Sequence, residues 1–150
     1  MRKVLILVFV FMTLMGYAQD YPKLKPLKED NLEGKLIPYE RKGKYGYKNL
    51  EGRVVIRAVF DKAETFETLM YDRLVARVKC GEEWGIIDRS GIWYITPEYK
   101  YLSAFEKDVA IFENAEGFGL LSHKGTHICE GLQRIDPFDA RGYAWVMKDD

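Results

Sequence analysis

The strongest constraint in this chain is that it repeats itself. The stretches YGYKNLEG (45–52), WGIIDRSG (84–91) and FGLLSHKG (118–125) follow one template. Each has an aromatic residue, a glycine, two or three strand-forming residues, a turn, and a second glycine six positions after the first. The leading glycines Gly46, Gly85 and Gly119 lie 39 and 34 residues apart. Self-similarity at this period marks an array whose units bury their apolar faces against one another rather than alone.

The agreement extends to both sides. Before the glycines lie Ile37 and Tyr39, Ala76 and Val78, Ala110 and Phe112, pairs spaced by two, which is the strand period. After them, Phe66, Phe105 and Phe138 fall 14, 14 and 13 residues beyond Gly52, Gly91 and Gly125. Asn49, Asp88 and Ser122 open the turns, and each can bond nearby backbone N–H groups at the first position of a type I turn. The glycine that follows can adopt the left-handed conformation that closes a three-residue hairpin with a bulge. Each unit therefore reads as a three-stranded meander. In the second unit the strands are expected at 74–79, 83–88 and 92–96, with Pro97 ending the last. The glycine after the aromatic marks a close approach by another group, and the expected occupant above Gly85 is a neighbouring aromatic ring. No amphipathic helical period follows the N-terminal segment; AETFETLM (63–70) makes one or two turns at most.

The N-terminus carries a different signal. Arg2 and Lys3 precede an apolar run from Val4 to Met15, and Gly16, Tyr17 and Ala18 supply a small-x-small cleavage site. This is the layout of a cleavable signal peptide cut after Ala18. Even Val4 to Ala18 is shorter than the 17–25 residues or so that a membrane-spanning helix needs. The mature chain is expected in the periplasm or outside the cell, with no membrane span after cleavage. Removing residues 1–18 takes Arg2 and Lys3 and leaves 21 basic against 23 acidic side chains. With those charges interspersed, there is no basic face of the kind nucleic acid requires. The organisation is a signal peptide (1–18), a linker (19–35) holding the cluster Lys23, Lys25 and Lys28, and about three repeats at 36–73, 74–108 and 109–150.

At the template positions the sequence resembles the WG-repeat proteins. Their unit runs approximately aromatic-Gly-hydrophobic-hydrophobic-Asp-x-x-Gly-x-hydrophobic-x-Ile-x-Pro-x-Tyr-Asp, then Phe, then Ala-hydrophobic-Val. The second unit matches at Trp84, Gly85, Ile86, Ile87, Asp88, Gly91, Ile95, Pro97, Tyr99, Phe105 and Ala110. The first keeps Gly46, Gly52, Ile56, Phe60, Asp61, Phe66 and Ala76, with Tyr45 for Trp and Ala58 for Pro. The third has Phe118 for Trp and lacks the Pro and Tyr. The family is widespread in bacteria and often exported. The resemblance implies a repeat scaffold used for interaction and specifies no activity. The expected fold is all-β: antiparallel meander repeats stacked into an open solenoid-like or partial-barrel array, preceded by a helical signal peptide.

Chemical sites are sparse. His123, His127 and Cys129 in HKGTHIC contain zinc-ligand residue types. Repeat alignment instead puts His123 in a turn, and Cys129 at the strand position of Ile56 and Ile95, where a thiol serves as a small hydrophobe. Whether Cys80 and Cys129 pair is left open. No nucleophile–base order, phosphate loop or calcium loop is present, so neither enzyme activity nor a cofactor is expected. Function belongs where the units differ. The connection from Phe66 to Ala76 spans 10 residues against 5 and 6 in the other units, and insertions in repeat proteins often carry binding. Met70, Tyr71 and Asp72 in that connection, with the adjacent Trp93 and Tyr94, are the candidate contact residues. The expected role is an exported scaffold that binds a protein, peptide or glycan of the cell envelope. The alternatives are a small envelope hydrolase working through surface carboxylates and a truncated structural fragment of a longer repeat protein.

Overall fold

A computed structural model describes Pro22, Leu24, residues 34–69 and residues 73–148. The signal peptide, most of the linker and the candidates Met70, Tyr71 and Asp72 lie outside the described residues. Within them the chain is all-β and antiparallel, with no closed barrel. Three meanders follow one another: β1–β3 (Leu36–Arg41, Lys44–Asn49, Val54–Phe60), β6–β8 (Leu74–Cys80, Glu83–Asp88, Trp93–Tyr99) and β10–β12 (Val109–Asn114, Gly117–Ser122, His127–Leu132). Short tail strands connect them: β4 (Lys62–Ala63) and β5 (Glu67–Thr68), then β9 (Tyr101–Leu102), then β13 (Arg134–Ile135), after which comes β14 (Val146–Met147).

The turns form as their residues dictate. Gly52, Gly91 and Gly125 donate their N–H groups to the carbonyls of Asn49, Asp88 and Ser122 at 3.1, 3.0 and 2.9 Å. Their φ angles of 84°, 78° and 78° lie where a side chain is strained. The Asp88 carboxylate adds bonds to the N–H groups of Ser90 and Ile92, the side-chain role expected of the first turn residue.

Two expectations are corrected. Pro97 does not end its strand; it is buried inside β8, which continues to Tyr99. The register explains this, because Trp84 pairs with Tyr99 but Ile86 pairs with Ile95, so the third strand bulges opposite Gly85. A bulge on an outer strand tolerates a missing N–H. The same bulge fills the space above Gly85. A Cβ there would lie 2.8 Å from both the Ile95 carbonyl oxygen and the Pro97 nitrogen, so backbone rather than an aromatic ring excludes a side chain. Gly46 meets the backbone of Ile56–Ala58 in the same way. Only at Gly119 does a ring, that of Phe112, press on the position, together with the Cys129 carbonyl.

The units interlock by sharing strands. β6 pairs with β7 on one edge and with β4 and β5 of the preceding connection on the other. β10 likewise sits between β11 and β9. The second and third layers therefore each take an outer strand from the unit before them. The layers then stack face to face. Ala76, Val78 and Ile87 of the middle layer join Leu36, Tyr47, Ile56 and Phe60 in one core. Val75 and Ile86, on the opposite face of the same strands, join Tyr99, Ala110, Phe112 and Leu121 in a second. Both faces of the middle layer are dry, as a stacked array requires.

Polar ties cross the same boundaries. Asp61 accepts from Lys44 Nζ at 2.6 Å and from the N–H of Gly81, in the next unit's hairpin, at 2.8 Å. Tyr47 donates its hydroxyl to the Glu64 carbonyl at 2.7 Å. Arg77 donates to the Leu102 carbonyl at 2.9 Å, and its Nε lies 3.7 Å from Glu67, too long for a hydrogen bond but close enough for ion pairing.

Gly85→Val forces the bulge apart. Overpacking of this kind costs about 1–3 kcal/mol, and calorimetry is expected to show a Tm lower by roughly 5–10 °C; an unchanged Tm refutes the backbone-contact account. A second expectation concerns acid. The Lys44 hydrogen bond, then the Gly81 N–H, hold the Asp61 carboxyl below its ordinary range. Its stabilisation is therefore present above the unfolded-state value of about 4 and lost as pH falls through the lower folded value. Asp61→Asn should flatten the acid limb of a Tm-versus-pH curve, and superimposable curves would rule that contribution out.

Candidate functional site: the open end of the stack

The two ends of the array are built differently. At the N-terminal end, β1 pairs with β2 alone among the described residues. Pro38 sits on it at the place of Arg77 and Ile111, whose carbonyls accept from Glu64 and Ser103 of the preceding tails. The Ile111 N–H also points that way, to Ser103 Oγ. Pro38 has no such N–H, so the outer edge of β1 is poor for pairing. The outward face is charged too. Lys48 occupies the position of Ile87 and Leu121, and a groove of about 460 Å³ there is lined by Arg41, Lys42, Lys44 and Arg57 beside Tyr39.

The other end is apolar. The third layer turns Ile111, only 8% exposed, and the ring of Phe118 away from the second core. Residues 135–138 lean over that face and enclose a groove of about 390 Å³. Tyr101, Phe118 and Phe138 supply its aromatic surface, while Glu106 and Glu113 supply carboxylates.

Beyond the groove lies a hairpin that the sequence reading did not recognise. Gly142 donates to the Asp139 carbonyl at 2.8 Å with φ at 88°, the same turn as in the three units. The signal is legible in DARG (139–142), which matches DRSG at both ends and NLEG at its glycine, with Asp139 in the place of Asn49. It was overlooked because no aromatic-Gly pair precedes it. This turn folds β14 back on β13, with Arg134 opposite Met147 and Ile135 opposite Val146. Tyr143, Trp145, Val146 and Met147 are 70, 84, 54 and 53% exposed.

Trp93 and Tyr94 face opposite ways, as neighbours on a strand must. Trp93 packs edge-to-face on Phe60 with centroids 6.0 Å apart and donates its indole N–H to the Pro22 carbonyl at 3.3 Å. Tyr94 donates to the His123 carbonyl and stacks beneath the Arg73 guanidinium at 5.0 Å. Each is half-buried against a different core, and neither lines the groove.

His127, the first residue of β12, joins a polar chain. Its Nε2 lies 2.9 Å from the Tyr99 hydroxyl and its Nδ1 lies 2.8 Å from Glu130, while its ring stacks on Phe112 at 4.4 Å. Burial, then a hydrogen bond with Glu98, pushes the Tyr99 hydroxyl well above its ordinary range. The Tyr99 hydroxyl thus stays neutral, and its hydrogen bond with His127 ties the second unit to the third. Among the described residues no three His, Cys, Asp or Glu side chains converge as a metal site. Cys80 and Cys129 are both free thiols.

A family model for the WG containing repeat matches residues 45–82 and, again, residues 84–116. The chain carries WG repeats. No curated protein and no solved structure matches it. The phase of the matches is informative, since each begins at or beside an aromatic-Gly pair and runs through the first strand of the next meander. One WG repeat therefore gives its hairpin to one layer and its tail and last strand to the next. By that phase β14 holds the place after the third hairpin that β6 and β10 hold after the first and second.

Burial, then the Asp61 carboxylate, pushes the Cys80 thiol up to about 11. At pH 8 about one molecule in a thousand carries the thiolate, so iodoacetamide should modify Cys80 at least tenfold more slowly than a free cysteine. Labelling at the free rate would contradict the partly buried placement.

Proposed function

We propose that this WG-repeat chain is an exported scaffold that binds a protein, peptide or glycan of the cell envelope through the open end of its stack, by recognition rather than catalysis. One observation carries this reading: the C-terminal end presents an aromatic-lined groove, whereas the N-terminal end is charged and its edge interrupted by proline. Concave apolar surface with a few polar groups is the ordinary form of a ligand site. Tyr101, Phe118 and Phe138 offer rings for sugars or apolar side chains, and Glu106 and Glu113 offer acceptors for hydroxyl or amide donors. The N-terminal segment supports export.

The test screens the mature chain against envelope glycans and peptides, then repeats the leading interaction with Tyr101→Ala/Phe138→Ala. Both residues lie at the rim of the groove and outside the two cores. Affinity should fall by at least about tenfold with Tm nearly unchanged. A double variant that binds every ligand as the parent does would remove the groove from consideration.

A further inference from the structure

The face that the first layer turns away from its core departs from the template in one direction. On the second layer the matching face is dry: Ala76, Val78 and Ile87 are fully buried, with Cys80 and Trp93 packed beside them. Strand register puts Ile37, Tyr39, Lys48, Arg41 and Val54 in those places on the first layer. A buried isoleucine and a thiol have become cations. The hairpin tip adds another, Lys42, at φ 55° where the second hairpin has Gly81 at 59°. The left-handed region disfavours a lysine. Lys44 and Arg57 complete a groove of about 460 Å³ that no carboxylate lines. Glu40 accepts from the Gly43 N–H, and Asp61 from Lys44 and Gly81. Among the described residues Arg41, Lys42 and Arg57 form no ion pair. An uncovered face needs only polarity, which charges of both signs supply without mutual repulsion. Composition does not impose a single sign, because the mature chain holds slightly more acidic than basic side chains. Like charges around a concave surface concentrate anions there.

We propose that this groove is a second binding site, for an acidic oligosaccharide whose sugar carboxylates sit on Arg41 and Arg57. The planar guanidinium fork matches a carboxylate in two parallel hydrogen bonds. The Tyr39 ring and the Val54 side chain supply apolar surface for the C–H face of a sugar ring. The volume lies in the ordinary range of small-ligand sites. Other anions fit less well. A peptide adding to the sheet needs main-chain bonds along β1, and Pro38 interrupts that edge. The cations form one short cluster rather than the stripe that tracks a nucleic-acid backbone. A planar bilayer meets a concave groove only at its rim. The site goes beyond the groove of Tyr101, Phe118 and Phe138, whose charged groups are Glu106 and Glu113. Grooves of opposite charge take different ligands, so the two readings stand or fall separately.

The probe is trigalacturonate, titrated calorimetrically into the mature chain at low ionic strength, with its methyl ester as the uncharged control. Saturable binding is expected, weakening as salt rises and at least about tenfold tighter than for the ester. Arg41→Gln/Arg57→Gln should lose at least about tenfold in affinity. Its Tm should match the parent's, since both side chains are exposed and outside the two cores. Tyr101→Ala/Phe138→Ala should bind trigalacturonate as the parent does. No binding, equal binding of the ester, or equal binding by the arginine variant overturns the proposal. So does equal affinity for acetylated, amidated triglutamate, which would leave a charged patch without selectivity for sugar. So does tighter, arginine-dependent binding to phosphatidylglycerol vesicles, which would make a bilayer the occupant. Loss of binding in Tyr101→Ala/Phe138→Ala would put the sugar in the other groove and overturn it too. If trigalacturonate fails while another ligand depends on Tyr101 and Phe138, the basic site is wrong and the scaffold reading stands.

Discussion

A strand shared between consecutive units is the interaction on which the rest of this structure depends. β6 bonds to its own hairpin on one side and to the previous connection on the other, and β10 does the same. A single meander has two faces and cannot dry both, whereas layers joined in this way are held in position to stack. Magnitudes decide what then holds the stack together. Each fully buried aliphatic or aromatic side chain contributes about 1.5–3 kcal/mol, and both cores are built of such residues. An exposed pair such as Arg134–Asp136 contributes about 0–1 kcal/mol at best. Packing between layers dominates, and the polar ties mainly set alignment.

The leading glycine of the WG template is a consequence of the same geometry. Its strand lies under a bulge in the third strand of the hairpin, and the backbone there approaches too closely for a Cβ at Gly46 or Gly85. In the third unit the register shifts less across Gly119, and the Phe112 ring takes part of the space. That difference follows from sequence, since Leu132 lies 7 residues beyond Gly125 whereas Phe60 and Tyr99 lie 8 beyond Gly52 and Gly91. The consequence for function is directional. Among the described residues the outermost strand pairs differ, β1 being bonded to the next strand β2 and β14 to the preceding tail strand β13.

Much of the site was hidden in the sequence for a physical reason. Phe118 and Phe138 sit on template positions, and template aromatics elsewhere are core; Tyr99 and Phe60, for instance, are almost wholly buried. Whether such a ring is core or surface depends on whether another layer covers it, which is a property of position in the stack. Trp93 and Tyr94 show the opposite case. Their adjacency stood out as irregular, yet each ring is absorbed by a different core on either side of one strand. Asp139 and Gly142 carry a readable turn signal, although the pairing of β14 with β13 across it is visible only in the structure.

The sequence by itself determined the hairpins, their turn chemistry and the stacking of similar units, because these rest on local backbone preference and on a period visible in residue order. Tertiary structure alone decided that the third strands bulge across the glycines, that the second and third layers borrow a strand from the unit before, and which aromatic rings of the template are covered. Those features depend on which residues meet across gaps of dozens of positions. A repeated template assigns the same role to every copy, and only the packed array distinguishes a layer with neighbours on both faces from one at an end.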